Sequence, residues 1–358
     1  MCSSSTNNIV EFASPPKDLE SALKRLDLPM SNVMVAIVIE YVGCNYRTVV
    51  GKVTQRRRDM GDLSKHMLVL ASGQVMSYGE HDQVLRMWDL DMSGEVRSLP
   101  RDRRWRITCL AQLDGRVVAG YGDGSLCIVD ITTRSSQSFQ REHVGAVISV
   151  SVLDDGRVVS AGRDKTIRVW DANTGQCTFT FATRSSRARF AISCGNMMSA
   201  LRYGRVVTGT AHDPRLHVWD VNTGQCTQTE VQGYQACDLD SDTGHVDCFV
   251  TCVFALFDGR VVSGGKSAGN MDHSVHVWDM TTMKRTITLR GHLDVVKGFS
   301  ELPDGRVVSW SLDGTMRVWD LNTETCVLML GSPNIRTMAI LPDGRILSGN
   351  KKTLRVWR

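Results

Sequence analysis

Through most of the chain the apolar residues fall in short β-branched runs, each broken by turn residues before a helical period can develop. Asp304-Gly305-Arg306-Val307-Val308-Ser309 shows the unit: a glycine turn opens straight into an apolar run, the signal of a β-hairpin. The next stretch, from Ser311 through Asp313-Gly314 to Val318-Trp319-Asp320, passes a second tight turn into another strand closed by Trp-Asp. Strands therefore dominate the expected structure.

The phrase repeats. Its hairpin glycines are Gly73, Gly115, Gly156, Gly204, Gly259, Gly305 and Gly344, and its strand-end positions are Trp88, Val129, Trp170, Trp219, Trp278, Trp319 and Trp357. A recurrence near 40 residues, with Trp-Asp and in places Gly-His, resembles the WD40 repeat, which supplies four strands per propeller blade. Over residues 46–358 the resemblance implies an all-β, seven-bladed WD40 β-propeller. The second copy reads Val129-Asp130 and the seventh Trp357-Arg358 where the pattern has Trp-Asp.

The resemblance also implies how the ring closes. In the family an N-terminal strand supplies the last blade's outer strand. Tyr46 to Val53 resembles the outer strand Lys284 to Leu289, so Thr48–Val53 is expected to pair with Leu354–Trp357. Such closure removes exposed sheet edges.

Residues 1–45 read as a separate appendage. Met1 to Pro16 is rich in Ser, Asn and Pro, as disordered segments are. Leu19, Leu23 and Leu26 share a helical face, and Asp18 is placed to cap it. Ser31 is placed to cap a second short helix through Val33, Met34, Ile37, Val38 and Tyr41, against which the β-branched content of 33–42 argues for a strand. Leu28-Pro29 followed by an apolar segment ending Glu40-Tyr41-Val42 resembles the opening of an F-box. That family recruits the Skp1 subunit of a cullin ubiquitin ligase, here through residues 18–45. The bland alternative is a helical hairpin packed on the propeller.

WD40 blades are held by a chain of His, Ser/Thr, Trp and Asp. Blade three offers His143, Ser160, Asp164 and Trp170; blade five offers His245, Ser263, Asp272 and Trp278; blade six offers His292, Ser309, Asp313 and Trp319. A buried indole N–H needs an acceptor, which gives these residues a structural role although they imitate a catalytic triad. Blades one, two, four and seven read as incomplete. Gly265-Lys266-Ser267-Ala268-Gly269 matches a nucleophile elbow but lies between two strands rather than at a strand-to-helix turn, so a hydrolase using Ser267 is a weak alternative. Gly120-x-Gly122-x-Gly124 reads as a hairpin turn. No zinc-ligand spacing or phosphate loop points to a metal or cofactor.

Charge enters through its distribution. The net value of +4 is mild, but arginines crowd the loops that join blades. They are Arg56, Arg57 and Arg58 before blade one, then Arg101, Arg103, Arg104 and Arg106 with Trp105 before blade two. Arg141 precedes blade three, Arg163 sits at that blade's turn, and Arg184, Arg187 and Arg189 precede blade four. A ring would gather them into one crescent on the face of the blade-to-blade loops. Converging guanidiniums bind carboxylate or phosphate oxygens in pairs, so an acidic or phosphorylated peptide is the expected ligand. RNA stacking on Trp105 competes, as does plain solubilisation with local pairing to Asp59, Asp62 and Asp102. A second series, Arg116, Arg157, Arg205, Arg260, Arg306 and Arg345, follows the hairpin glycines and reads as structural pairing within the turns.

Eleven cysteines without metal spacing read as free thiols of a reducing compartment, cytoplasmic or nuclear. No apolar run is long enough to cross a bilayer. The expected function is a non-catalytic scaffold or adaptor for other proteins. A ubiquitin-ligase substrate receptor and an RNA-associated protein are the alternatives.

Overall fold

Each repeat folds locally because its turn chemistry leaves little choice. In blade three the Leu153 N–H donates to Arg157 O and the Gly156 N–H to Leu153 O, at 2.9 and 3.0 Å, with Gly156 at φ +84°. Only glycine adopts that φ without strain. The same pair of bonds closes Leu256–Arg260, Leu302–Arg306 and Leu341–Arg345. Four of the arginines that follow these glycines close onto the turn carboxylate two residues earlier: Arg157 on Asp155, Arg260 on Asp258, Arg306 on Asp304 and Arg345 on Asp343, at 2.6–2.8 Å.

The computed structural model describes residues 35–42, 45–52, 63–70, 74–79, 85–88, 95–99, 106–133, 135–140, 142–182, 197–210, 213–229, 249–266, 273–331, 335–349 and 354–357. Their strands form seven antiparallel sheets. Blade three is Val147–Val152, Val158–Gly162, Thr166–Trp170 and Cys177–Ala182; blade six is Val296–Glu301, Val307–Ser311, Thr315–Asp320 and Thr325–Gly331. Blade seven has three described strands, ending in Leu354–Trp357.

The core is divided among the junctions between blades, and each of the seven junctions has its own apolar cluster. Blades two and three share Ile128, Phe139, Val147 and Trp170, while five and six share Val262, Val277, Val296 and Trp319. Between blades seven and one lie Leu341, Leu347, Val75 and Trp88, and the Met67 N–H donates to Thr337 Oγ1 at 3.0 Å. Face packing of the first blade on the last therefore closes the ring.

The N-terminal strand corrects the expected closure. Asn45–Lys52 pairs with Val35–Val42, not with Leu354–Trp357, and Val35–Val42 lies beside the outer strand of blade six through Val38 opposite Leu330. Two β-branched runs separated by a two-residue connection form a local hairpin, which needs far less loop closure than reaching the last repeat. The second short helix expected from Ser31 to Tyr41 is likewise replaced by the strand Val35–Val42, as the β-branched composition argued. Asp18 to Leu28 and Leu28-Pro29 lie outside the described residues.

Candidate functional site

The polar chains inside the blades decide which side chains are left for a ligand. In blade three the Trp170 indole N–H donates to Ser160 Oγ at 2.8 Å, and Ser160 Oγ lies 2.7 Å from His143 Nε2. His143 Nδ1 lies 3.0 Å from Asp164, which also accepts the backbone N–H of Val144 and both donors of Thr166. The Asp164 carboxylate can only accept, so a neutral His143 carries its proton on Nδ1 and its bare Nε2 accepts from Ser160, whose oxygen accepts the Trp170 indole N–H. Every polarity in the chain is thereby fixed.

Blade six repeats it 149 residues later, counting from His143 to His292. Trp319 donates to Ser309 at 2.8 Å, Ser309 lies 2.7 Å from His292 Nε2, and His292 Nδ1 lies 2.8 Å from Asp313. Leu293 N–H and both donors of Thr315 complete the Asp313 shell. Burial pushes the Asp164 and Asp313 carboxyls up, but hydrogen bonds from His, Thr and backbone outweigh it and hold both well below the usual carboxylate range. Burial pushes the His292 imidazole down, and Asp313 offsets this only in part.

These Ser-His-Asp sets cannot serve a substrate. Ser160 and Ser309 are 0% exposed, with each oxygen shared between an indole and an imidazole. In blade five the Trp278 indole meets Ser263 at 2.8 Å; His245 and Asp272 lie outside the described residues. The structure adds three pairs that the incomplete blades had hidden: Trp88 to Ser77, Trp219 to Thr208 and Trp357 to Ser348, at 2.8–3.0 Å. A Ser or Thr nine to eleven residues before each Trp was the available signal. The Asp of Trp-Asp has a separate task. Asp171, Asp220 and Asp320 accept the N–H groups two and three residues on, capping the turn into the outer strand.

Of the arginine crescent, Arg106 and Arg163 are described, and both are exposed. The Gly122 N–H donates to Arg106 O at 2.9 Å. Gly124, at φ +93°, packs its bare backbone against His143 and Gly145, where a Cβ would come within 2.2 Å of a carbonyl oxygen. Gly145 in turn lies against the Arg163 side chain. The glycine-rich turn of blade two thus joins the Arg106 backbone to the blade-three loop that packs against Arg163. Arg56, Arg57, Arg58, Arg101, Arg103, Arg104, Trp105, Arg141, Arg184, Arg187, Arg189 and Ser267 lie outside the described residues. No cluster of His, Cys, Asp and Glu among the described residues is arranged to hold a metal.

Large apolar side chains also stand in water at this level: Val144 and Leu293, each 81% exposed, and Leu312 at 54%. Val144 and Leu293 directly follow the blade-three and blade-six histidines. No helix among the described residues is long and apolar enough to cross a membrane.

Comparison with known proteins agrees with this geometry. The family model for the WD domain, G-beta repeat (WD40), matches residues 134–171, 238–279 and 283–320. The WD40 β-propeller domain of Doa1, known from its crystal structure, superposes with a TM-score of 0.64 over 90% of this chain and 96% of that one; at 17% identity the likeness is one of fold. The chain folds as a seven-bladed β-propeller, and its residues 134–171, 238–279 and 283–320 are WD40 repeats. Cell division control protein 4 of Saccharomyces cerevisiae is 30% identical over 224 residues, which is 60% of this chain but 28% of that relative's length.

Proposed function

We propose that the chain is a non-catalytic interaction platform that receives an acidic or phosphorylated protein segment on the side of Arg106 and Arg163. One observation carries this reading. Asp164 is committed to His143, Val144 and Thr166, so the exposed Arg163 beside it has no carboxylate partner among the described residues. A guanidinium so placed suits paired oxygens from outside the chain. Arg56 to Arg58, Arg101 to Arg104 and Arg184 to Arg189 would extend the cationic face around the ring. The six described cysteines form no disulfide with one another, in keeping with a cytoplasmic or nuclear protein.

Proximity labelling in cells tests the reading, with wild type compared against Arg163→Ala and against Arg103→Ala/Arg104→Ala. The expected result is a shared set of partners lost in both variants, whose capture weakens steeply with salt. Salt-insensitive capture unchanged by either variant overturns it.

A second reading, substrate receptor of a cullin-type ubiquitin ligase, draws on the Leu28-Pro29 resemblance and on likeness to a yeast protein named for cell-division control. Pull-down of Skp1 by the full chain, lost on deleting residues 18–45, supports it. Equal recovery with and without that segment excludes it.

A further inference from the structure

Blades three and six match position for position, so a difference between them is informative. Arg168 and Arg317 occupy the same place, two residues before the buried Trp, and each lies against an equivalent thiol, Cys177 or Cys326. In blade three the preceding loop reads Arg141-Glu142-His143, and Glu142 forms an ion pair with Arg168. In blade six it reads Arg290-Gly291-His292. Glycine stands where the carboxylate was, and Arg317 has no carboxylate partner among the described residues.

Arg317 is nevertheless held in place. Its guanidinium carbon lies 6.0 Å from the centre of the Trp319 ring, its Nη1 lies 4.0 Å from Cys326 Sγ, and its buried Nε, like that of Arg168, has no hydrogen-bond partner. A Cβ on Gly291 would come within 2.7 Å of Nη1. The missing side chain therefore leaves a window over a fixed, partly desolvated cation. Such a group gains more from an incoming anion than a mobile surface arginine does, because little ordering remains to be done. Two exposed leucines flank the same loops. The Leu293 N–H is tied to Asp313 at 3.0 Å and the Leu312 N–H to Val295 O at 3.0 Å, so both are rigidly presented. Arg290, also exposed, adds a second positive charge.

We propose that the Gly291 window of blade six is a binding site for an acidic side chain of a partner peptide. The incoming carboxylate takes on Arg317 the place that Glu142 takes on Arg168, and apolar neighbours in the peptide cover Leu293 and Leu312. Blade three is the same site closed by its own glutamate. The site rests on Arg317 and Gly291 and on none of the crescent arginines, so it stands or falls separately from the reading above.

The probe is the tripeptide N-acetyl-Leu-Glu-Leu-amide, with versions carrying Gln or phosphoserine in the middle. The readout is the side-chain Nε–H NMR resonances of Arg317 and Arg168 in the full chain. In wild type the Glu peptide is expected to shift Arg317 saturably and leave Arg168 unmoved, with the Gln peptide inert. Glu142→Ala should make Arg168 respond as well, raising the stoichiometry from one to two. Gly291→Glu should silence Arg317, and because Gly291 sits at φ +156°, Arg317→Met provides a second loss variant, read by loss of peptide binding. Thermal melts confirm that each variant is folded, and Arg103→Ala/Arg104→Ala should leave the Arg317 response unchanged. The proposal is overturned if the Gln peptide shifts Arg317 equally, if phosphoserine binds tighter than Glu, if Arg168 responds in wild type, or if no saturable shift of Arg317 occurs.

Discussion

Blades three and six use one hydrogen-bond chain to hold two different surfaces. Their His, Ser, Asp and Trp residues keep the same separations and nearly the same distances, with Ser to His at 2.7 Å and indole to Ser at 2.8 Å in both. Above that frame the blades diverge. Blade three presents Val144 and Arg163 and pairs Arg168 with Glu142, whereas blade six presents Leu293 and Leu312 and leaves Arg317 without a carboxylate among the described residues. The buried chain specifies the wedge, and once it is satisfied the residues beside it are free to vary. This is how one repeat serves both architecture and recognition.

The largest test of the equivalence is removal of the indoles. Trp170→Ala and Trp319→Ala should each cost about 3–5 kcal/mol, since both side chains fill junctions between blades. Urea unfolding measures this, and a cost below about 1 kcal/mol in one blade alone would break the equivalence. His143→Ala and His292→Ala come next, at about 1–3 kcal/mol each for the buried partners they strand. The two blades are not neighbours in the ring, so the double variant should be additive; a clear departure would show coupling through the junctions between them.

Acid separates the members of the chain. The folded-state pKa of His292 is depressed, so its contribution is full above its ordinary value of 6.5 and declines as pH falls below it. Asp164 and Asp313 are also depressed, so theirs is full above the ordinary 3.8 and is lost as pH falls further. Stability measured against pH should therefore fall in two stages on acidification, and His292→Ala should flatten the first. A curve in which that variant keeps the full early loss would contradict the neutral His292. The smallest effect belongs to the exposed turn pairs. Asp155→Asn and Asp304→Asn leave the backbone turn in place and should cost about 0.2–1 kcal/mol by the same unfolding assay.

The two complete tetrads were legible because their members sit at fixed separations in a repeat that recurs. Ser77, Thr208 and Ser348 were not legible from the tetrad pattern, because the bond from Trp to Ser or Thr forms without the His and Asp. An indole N–H needs one acceptor, and a neighbouring strand of the same sheet supplies it. The open guanidinium of Arg317 was not legible at all. An arginine before Val-Trp looks the same in both blades, and only the loop packed over it tells them apart.

By itself the sequence determined that the chain is built of like wedges, how many there are, and where each one turns. Those properties are local, set by glycine φ, Asp-capped turns and β-branched runs within a few residues of one another. Tertiary structure alone decided what meets across a distance. It placed the hairpin of 35–42 and 45–52 at blade six, closed the ring by packing blade seven on blade one, and set Gly291 over a cation that Glu142 neutralises elsewhere. Pairing partners and packed faces depend on which of several compatible surfaces come together, and that choice is made only when the whole ring condenses.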